Sequence, residues 1–301
     1  METNREQRRD ARATAGLMIA ATSLFAATSV LAKGLGIGAF GPALPPLMVS
    51  FGRFGFALAG IALVAALMRP RLTRPAWGTH LARTLCGWGG ITLMFAAVAQ
   101  MPLPDATAIS FLSPVFTMIL AIPLLGERVG PVRWSAAAIA LIGAAILLRP
   151  GEAVQLAAFI ALGAAAAMGL EAIFIKRLTR RESPLQILLV NNAMGAVIAT
   201  GVALTVWAMP TALQWAALAA IGLLMACGQA LNLLAMRRAD ASFVAPFFYL
   251  TLIWAAGFDL FLFGVLPDGI SLIGAAVLVS GAALLVWRDR QRGGATRPPG
   301  A

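Results

Sequence analysis

Hydrophobic residues in this chain neither alternate nor keep to one helical face. They fill runs of about 20 residues, the length that crosses ~30 Å of hydrocarbon as a helix. Ten runs are predicted, at 13–33, 46–68, 78–100, 104–124 and 131–148, then at 154–175, 185–207, 212–236, 241–263 and 269–287. Lipid offers the backbone no hydrogen bonds, so only helices or closed barrels satisfy a spanning chain. Runs of this length read as helices despite the Gly and Pro inside them. The fold class is an all-α polytopic membrane protein.

The polar punctuation between runs repeats. Asp105-Ala106-Thr107 returns as Asp240-Ala241-Ser242, and Gly126 and Gly143 keep the spacing of Gly264 and Gly281. The offset is 135 residues before the fourth and ninth spans and 138 after them, so about three residues are inserted within that pair. An odd number of crossings separates the copies, which places them in opposite orientations. Ten transmembrane helices as two inverted five-helix repeats follow, with an N-tail at 1–12, repeats at 13–148 and 154–287, and a C-tail at 288–301. Inverted halves enclosing one central site are the architecture of alternating access.

Composition agrees: 60% of the 301 residues are hydrophobic and 12% charged, with mean hydropathy +0.86, against roughly 25% charged in soluble domains. The net charge of +11 reflects placement and not a nucleic-acid partner. With the N-terminus set in the cytoplasm, 20 of 23 Lys and Arg fall on that side, Arg83 among them at the start of the third helix, leaving Lys33, Arg53 and Arg149 for the outer half. This obeys the positive-inside rule and puts both termini in the cytoplasm. The basic tail, first run and Val30-Leu31-Ala32 also resemble a cleavable signal, but its removal would leave nine spans and unmatched halves. Cys86 and Cys227 both lie within spans, so no disulfide framework or metal site is indicated, and no cofactor is expected.

Charges within spans are costly and need an account. Lys33 ends the first span, where it snorkels or serves as a gate. Glu171, its counterpart on the 138 offset, sits about one turn from the cytoplasmic edge near Lys176 and Arg177, either interfacial or a second gate charge. Arg53 and Asp259 lie deeper from the outer side and pair with each other, form an outer gate, or, for Arg53, attract a substrate carboxylate. His80, the one histidine, is interfacial or a proton-coupling group.

Neutral polar and aromatic residues outline a binding cavity. Ser110, Ser113 and Thr117 share a face of the fourth helix around Pro114, which frees a carbonyl near the midplane. Gln229 and Asn232 stand at i and i+3 on the eighth helix. Trp88, Thr92 and Phe95 come from the third, and Pro246, Tyr249 and Trp254 from the ninth. Asp105 and Asp240 precede the proline-bearing helices as caps. Helix packing alone also explains such residues.

Pro114-Val115-Phe116, then Leu125-Gly126-Glu127-Arg128, then the Gly143-Ala144-Ala145 helix resemble the drug/metabolite transporter superfamily, and within it the ten-helix EamA-type exporters of bacterial inner membranes, including exporters of aromatic and other amino acids. The resemblance covers nearly the whole chain. It departs at Gly264-Val265-Leu266-Pro267, which lacks the Glu-Arg pair, so Glu127 is given a structural role, pairing a cytoplasmic Arg or capping the following helix. The resemblance implies a secondary transporter exporting solutes across the inner membrane, and the aromatic and neutral hydrogen-bonding residues suit neutral or aromatic amino acids and related small metabolites; a monomer in lipid is expected. The midplane is expected to hold no Lys or Arg for phosphate and no central carboxylate for a cation. A multidrug or quaternary-cation exporter is the alternative. With no paired catalytic carboxylates, one His and no serine with a base, an enzyme is disfavoured, as is an assembly factor.

Overall fold

Proline opens several of the helices, where its missing N–H costs nothing, and glycine closes two of them in the left-handed conformation. The computed structural model describes residues 2–70, 72–98, 109–148, 156–264 and 269–292. Ten long helices occur among them: α1 (Glu2–Gly36), α2 (Pro46–Met68), α3 (Trp77–Val98), α4 (Ser113–Leu125), α5 (Pro131–Leu148), α6 (Leu156–Thr179), α7 (Pro184–Ala203), α8 (Ala212–Arg238), α9 (Leu250–Phe263) and α10 (Gly269–Arg292). No strand occurs among the described residues. Six described helices are long and apolar enough to cross a membrane, and three further apolar segments are shorter.

Two boundaries differ from expectation. Helix α1 starts at Glu2 and takes in the expected N-tail, and α10 runs on to Arg292. The expected ninth span is broken: one α-turn, Ala241–Val244, passes through a 3₁₀ segment, Ala245–Tyr249, into α9. Pro246 sits at the start of the 3₁₀ segment, where it cannot donate to an α-helical ladder.

The helix pairings carry the repeat. The most extensive contacts are α5 with α10, α3 with α6, α1 with α8 and α2 with α7. Exchanging the halves turns α3–α6 into α8–α1, and likewise α4–α6 into α9–α1, both of which occur. Gly126 after α4 and Gly264 after α9 both have φ +68°. Small residues let the helices close: a Cβ on Gly222 of α8 would lie 2.8 Å from Ala57 N of α2, and one on Gly169 of α6 would lie 3.0 Å from Thr117 N of α4. Apolar clusters fill each end of the bundle. One holds Met18, Ile175, Ile187, Leu233 and Phe243, and the other Leu35, Leu44, Leu218 and Ile221. The arginine-rich loops gather at one end of the bundle, its basic face.

Candidate functional site

The functional space is built where two helices are interrupted. A helical turn at 109–110 and a bend at 111–112 precede α4, whose first turn holds Pro114. The carbonyl of Phe111 in this bend accepts a hydrogen bond from Tyr249 Oη at 2.8 Å, and the two rings stack with centroids 5.9 Å apart. These residues are separated by 138 positions, the offset that relates Gly126 to Gly264. The two interruptions therefore meet at equivalent residues, as expected on the pseudo-two-fold axis.

Around this junction lies a cavity of about 390 Å³. Ser110, Ser113, Pro114 and Thr117 line it from the first interrupted segment, Gln229 and Asn232 from α8, and Ala245, Phe248 and Thr251 from the second. Phe25, stacked on Phe248 at 6.1 Å, adds an aromatic wall, with Met168, Met225 and Met236 beside it. Phe25 makes α1 part of the cavity wall.

Three charges converge on the same space. Arg53 lies seven residues into α2, about 10 Å from its start at 1.5 Å per residue, whereas Arg83 on α3 and Glu171 on α6 approach about 9 and 12 Å from the basic face. Arg83 Nε stands 3.6 Å from Glu171 Oε1, with Arg83 4% and Glu171 29% exposed. Arg53 also lies in the field of Glu171 and Arg83 and covers the Phe54 ring at 5.0 Å. The cavity, expected to be lined by neutral groups, thus also carries two guanidinium groups and a carboxylate. Glu171 and Arg83 both line the cavity, although the place of Arg83 near a helix start let it count with the face.

Other expected site residues lie elsewhere. Trp88 lines a side cavity of about 60 Å³ that shares Arg53 and Glu171. Tyr249 is buried against Ala140 and Ala144 of α5, Pro246 is buried without lining the cavity, and Trp254 is 37% exposed and stacked on Phe258. The cause is the 3₁₀ segment. Three residues per turn put positions i and i+3 in line, so Ala245, Phe248 and Thr251 face the cavity and their neighbours do not. Lys33 lies exposed in the last turn of α1, and Glu171 lines the central cavity from α6. Asp105 and the side chains of Thr92, Phe95 and Asp259 lie outside the described residues.

The basic face holds further chemistry. His80, in the first turn of α3, is 1% exposed, its Nε2 2.9 Å from Glu182 Oε2. Glu182, which sequence reasoning passed over, also accepts from Ala76 N at 2.7 Å and Gln186 Nε2 at 2.8 Å. Among the described residues Glu127 neither caps the helix that follows it nor pairs with an arginine. Its carboxylate accepts from Ala241 N at 2.9 Å, Ser242 N at 3.0 Å and Ser242 Oγ at 2.7 Å. Asp240 occupies the cap position without making the cap bond, and pairs instead with Arg133 at 2.9 Å. Among the described residues no cluster of His, Cys, Asp or Glu could hold a metal.

A helical membrane bundle with two interrupted helices around a central polar cavity defines a transporter. Comparison with known proteins gives the family: residues 13–149 and 155–287 each match the EamA-like transporter family, and the chain belongs to it. The chain is 33% identical to a riboflavin transporter of Rhizobium johnstonii over 83% of each protein. It is 28% identical to an S-adenosylmethionine uptake transporter of Rickettsia bellii, over 70% of this chain and 73% of the relative, and 24% identical to a pseudopaline exporter of Pseudomonas aeruginosa, over 73% and 80%. A solved crystal structure matches with TM-score 0.79 over 93% of this chain and 98% of its own, at 17% identity, a likeness of fold alone. Relatives named as transporters leave no place for an enzyme.

Proposed function

We propose that this protein is a secondary transporter of small planar metabolites with hydrogen-bonding tails, heteroaromatic solutes of the flavin kind ahead of aromatic amino acids, working by alternating access in the inner membrane. The observation that carries the reading is the cavity itself: Phe25 and Phe248 form a wall for a ring, facing uncharged donors and acceptors on Ser113, Thr117, Gln229 and Asn232. The riboflavin and S-adenosylmethionine relatives support heteroaromatic solutes. Amino acids stay as the second reading because paired Arg83 and Glu171 offer complementary charges to a zwitterion. A quaternary-cation exporter is disfavoured, since two guanidinium groups outweigh one carboxylate at the site. The arginine-rich face supports cytoplasmic termini.

The test is a proteoliposome panel of riboflavin, S-adenosylmethionine, tryptophan and tetraphenylphosphonium, with and without a pH gradient. Saturable flavin flux is expected. Tryptophan flux without flavin flux selects the second reading, and flux of the cation alone overturns both.

A further inference from the structure

Arg53 Nε and Arg83 Nε and Nη1 are buried with no hydrogen-bond partner among the described residues. The Arg83–Glu171 distance of 3.6 Å is an ion pair too long for a hydrogen bond. Buried guanidinium donors without acceptors are costly, because water has been given up and nothing has replaced it. Glu171 compensates one of the two positive charges and leaves a net charge of +1 over the cavity. A guanidinium presents its donors in a planar fork that matches the paired oxygens of a carboxylate or phosphate.

A second cavity, of about 260 Å³, runs between α1, α2 and α8 and is lined by Thr28, Val49, Ser50 and Ile221. It shares Arg53 and Met225 with the central one. Arg53 therefore stands at the junction of the two spaces. A solute reaching the Phe25–Phe248 wall from the face opposite the basic one passes this guanidinium.

We propose that Arg53 and Arg83 form an anion subsite, and that the preferred substrate carries a carboxylate or phosphate oxygen group held there while its ring lies on the Phe25–Phe248 wall. This rests on the reading of the central cavity as the transport site. It goes further by making the substrate an anion at one end. An anion entering the subsite supplies acceptors to the unpartnered donors and leaves Glu171 a competing partner of Arg83, so the subsite is selective without holding its ligand irreversibly.

Matched pairs differing in one anionic group test it: riboflavin against flavin mononucleotide for phosphate, and tryptamine against tryptophan for carboxylate. Each is titrated against purified protein by thermal stabilisation and then by flux in proteoliposomes. At least one pair is expected to favour its anionic member by about tenfold or more, the effect of one charge-assisted hydrogen bond, and the responding pair identifies the group. In Arg53→Gln the ratio is expected to fall to about one, and Arg53→Lys, which keeps the charge without the fork, is expected to give an intermediate ratio. Should the glutamine variant fail to fold, the wild-type ratios and the lysine variant still decide. Equal binding of both members in both pairs overturns the subsite while leaving the transport reading intact if flux is seen. Binding by no anionic member overturns the subsite as well.

Discussion

At the basic face, two joints between the halves are made by carboxylates accepting backbone N–H groups, beside a neutral one in which Gln186 accepts from Thr73 N and donates to Thr73 O. Glu127 at the end of α4 holds Ala241 and Ser242, and Glu182 before α7 holds Ala76 beside His80. At the opposite face the corresponding described joint is neutral. Gln214 at the start of α8 donates to Pro42 O at 2.6 Å, and its capping box with Thr211 closes the helix end. The rings of Phe51, Phe56, Trp207 and Trp215 meet edge to face beside it. Ala76 and Gln214 are themselves 138 residues apart. The same joint is thus built at both ends with the donor on the same side and the side-chain and backbone roles exchanged: a backbone N–H donates to a carboxylate at one face, and a side-chain amide donates to a backbone carbonyl at the other.

The difference has an energetic consequence. Removing a carboxylate that accepts buried backbone donors leaves each donor unsatisfied, at about 1–3 kcal/mol apiece. Losing an amide that donates to a carbonyl near a helix start costs less, since a carbonyl at the bundle end is readily hydrated. Inverted halves therefore need not resist opening equally, and the charged face is the one more tightly held.

The largest expected effect is for Glu127→Ala. Ala241 N, Ser242 N and Ser242 Oγ lose their acceptor in a buried setting, for a loss of about 4 kcal/mol. A clear fall in melting temperature in detergent is expected, with faster hydrogen exchange at the Ala241 and Ser242 amides. Unchanged exchange there would show that Glu127 does not clamp these amides. The Arg133–Asp240 pair is a smaller part of it, because Asp240 is 48% exposed and solvent screens the attraction.

Gln214→Ala tests the other side. It removes the bond to Pro42 and the reciprocal bond to Thr211 N at 2.9 Å, worth about 2 kcal/mol together. The melting temperature is expected to fall by about half as much as for Glu127→Ala in the same detergent. An equal or greater fall would mean that the neutral face is the stronger joint, reversing the comparison.

What could be read from the sequence divides along physical lines. The spans were legible because their composition is imposed by lipid, and the pairing of halves because glycines at positive φ, Gly126 and Gly264, leave a visible spacing. Ser113 and Thr117 were legible because α-helical periodicity holds from the start of α4, and Ser110 reaches the same cavity from before the interruption. The periodicity failed after Pro246, where the 3₁₀ segment changes the period and rotates Tyr249 out of the cavity. Arg83 was missed because a cation two turns from a helix start looks like one that snorkels, and only the placement of Glu171 reveals its direction. The target of Glu127 lies 114 residues away, a contact that no local pattern encodes.

The smallest expected effect belongs to neither face. Tyr249→Phe removes the bond to Phe111 O at 2.8 Å and keeps the ring stacked, so the loss is about 1 kcal/mol. Because the bond joins equivalent residues where the two interruptions meet, its removal is expected to loosen both halves together. Hydrogen exchange should rise modestly beside α4 and beside α9 alike, leaving the order of the two faces unchanged. If exchange rises on one side only, the bond belongs to one half, and the axis it was taken to mark does not act as the pivot between the faces.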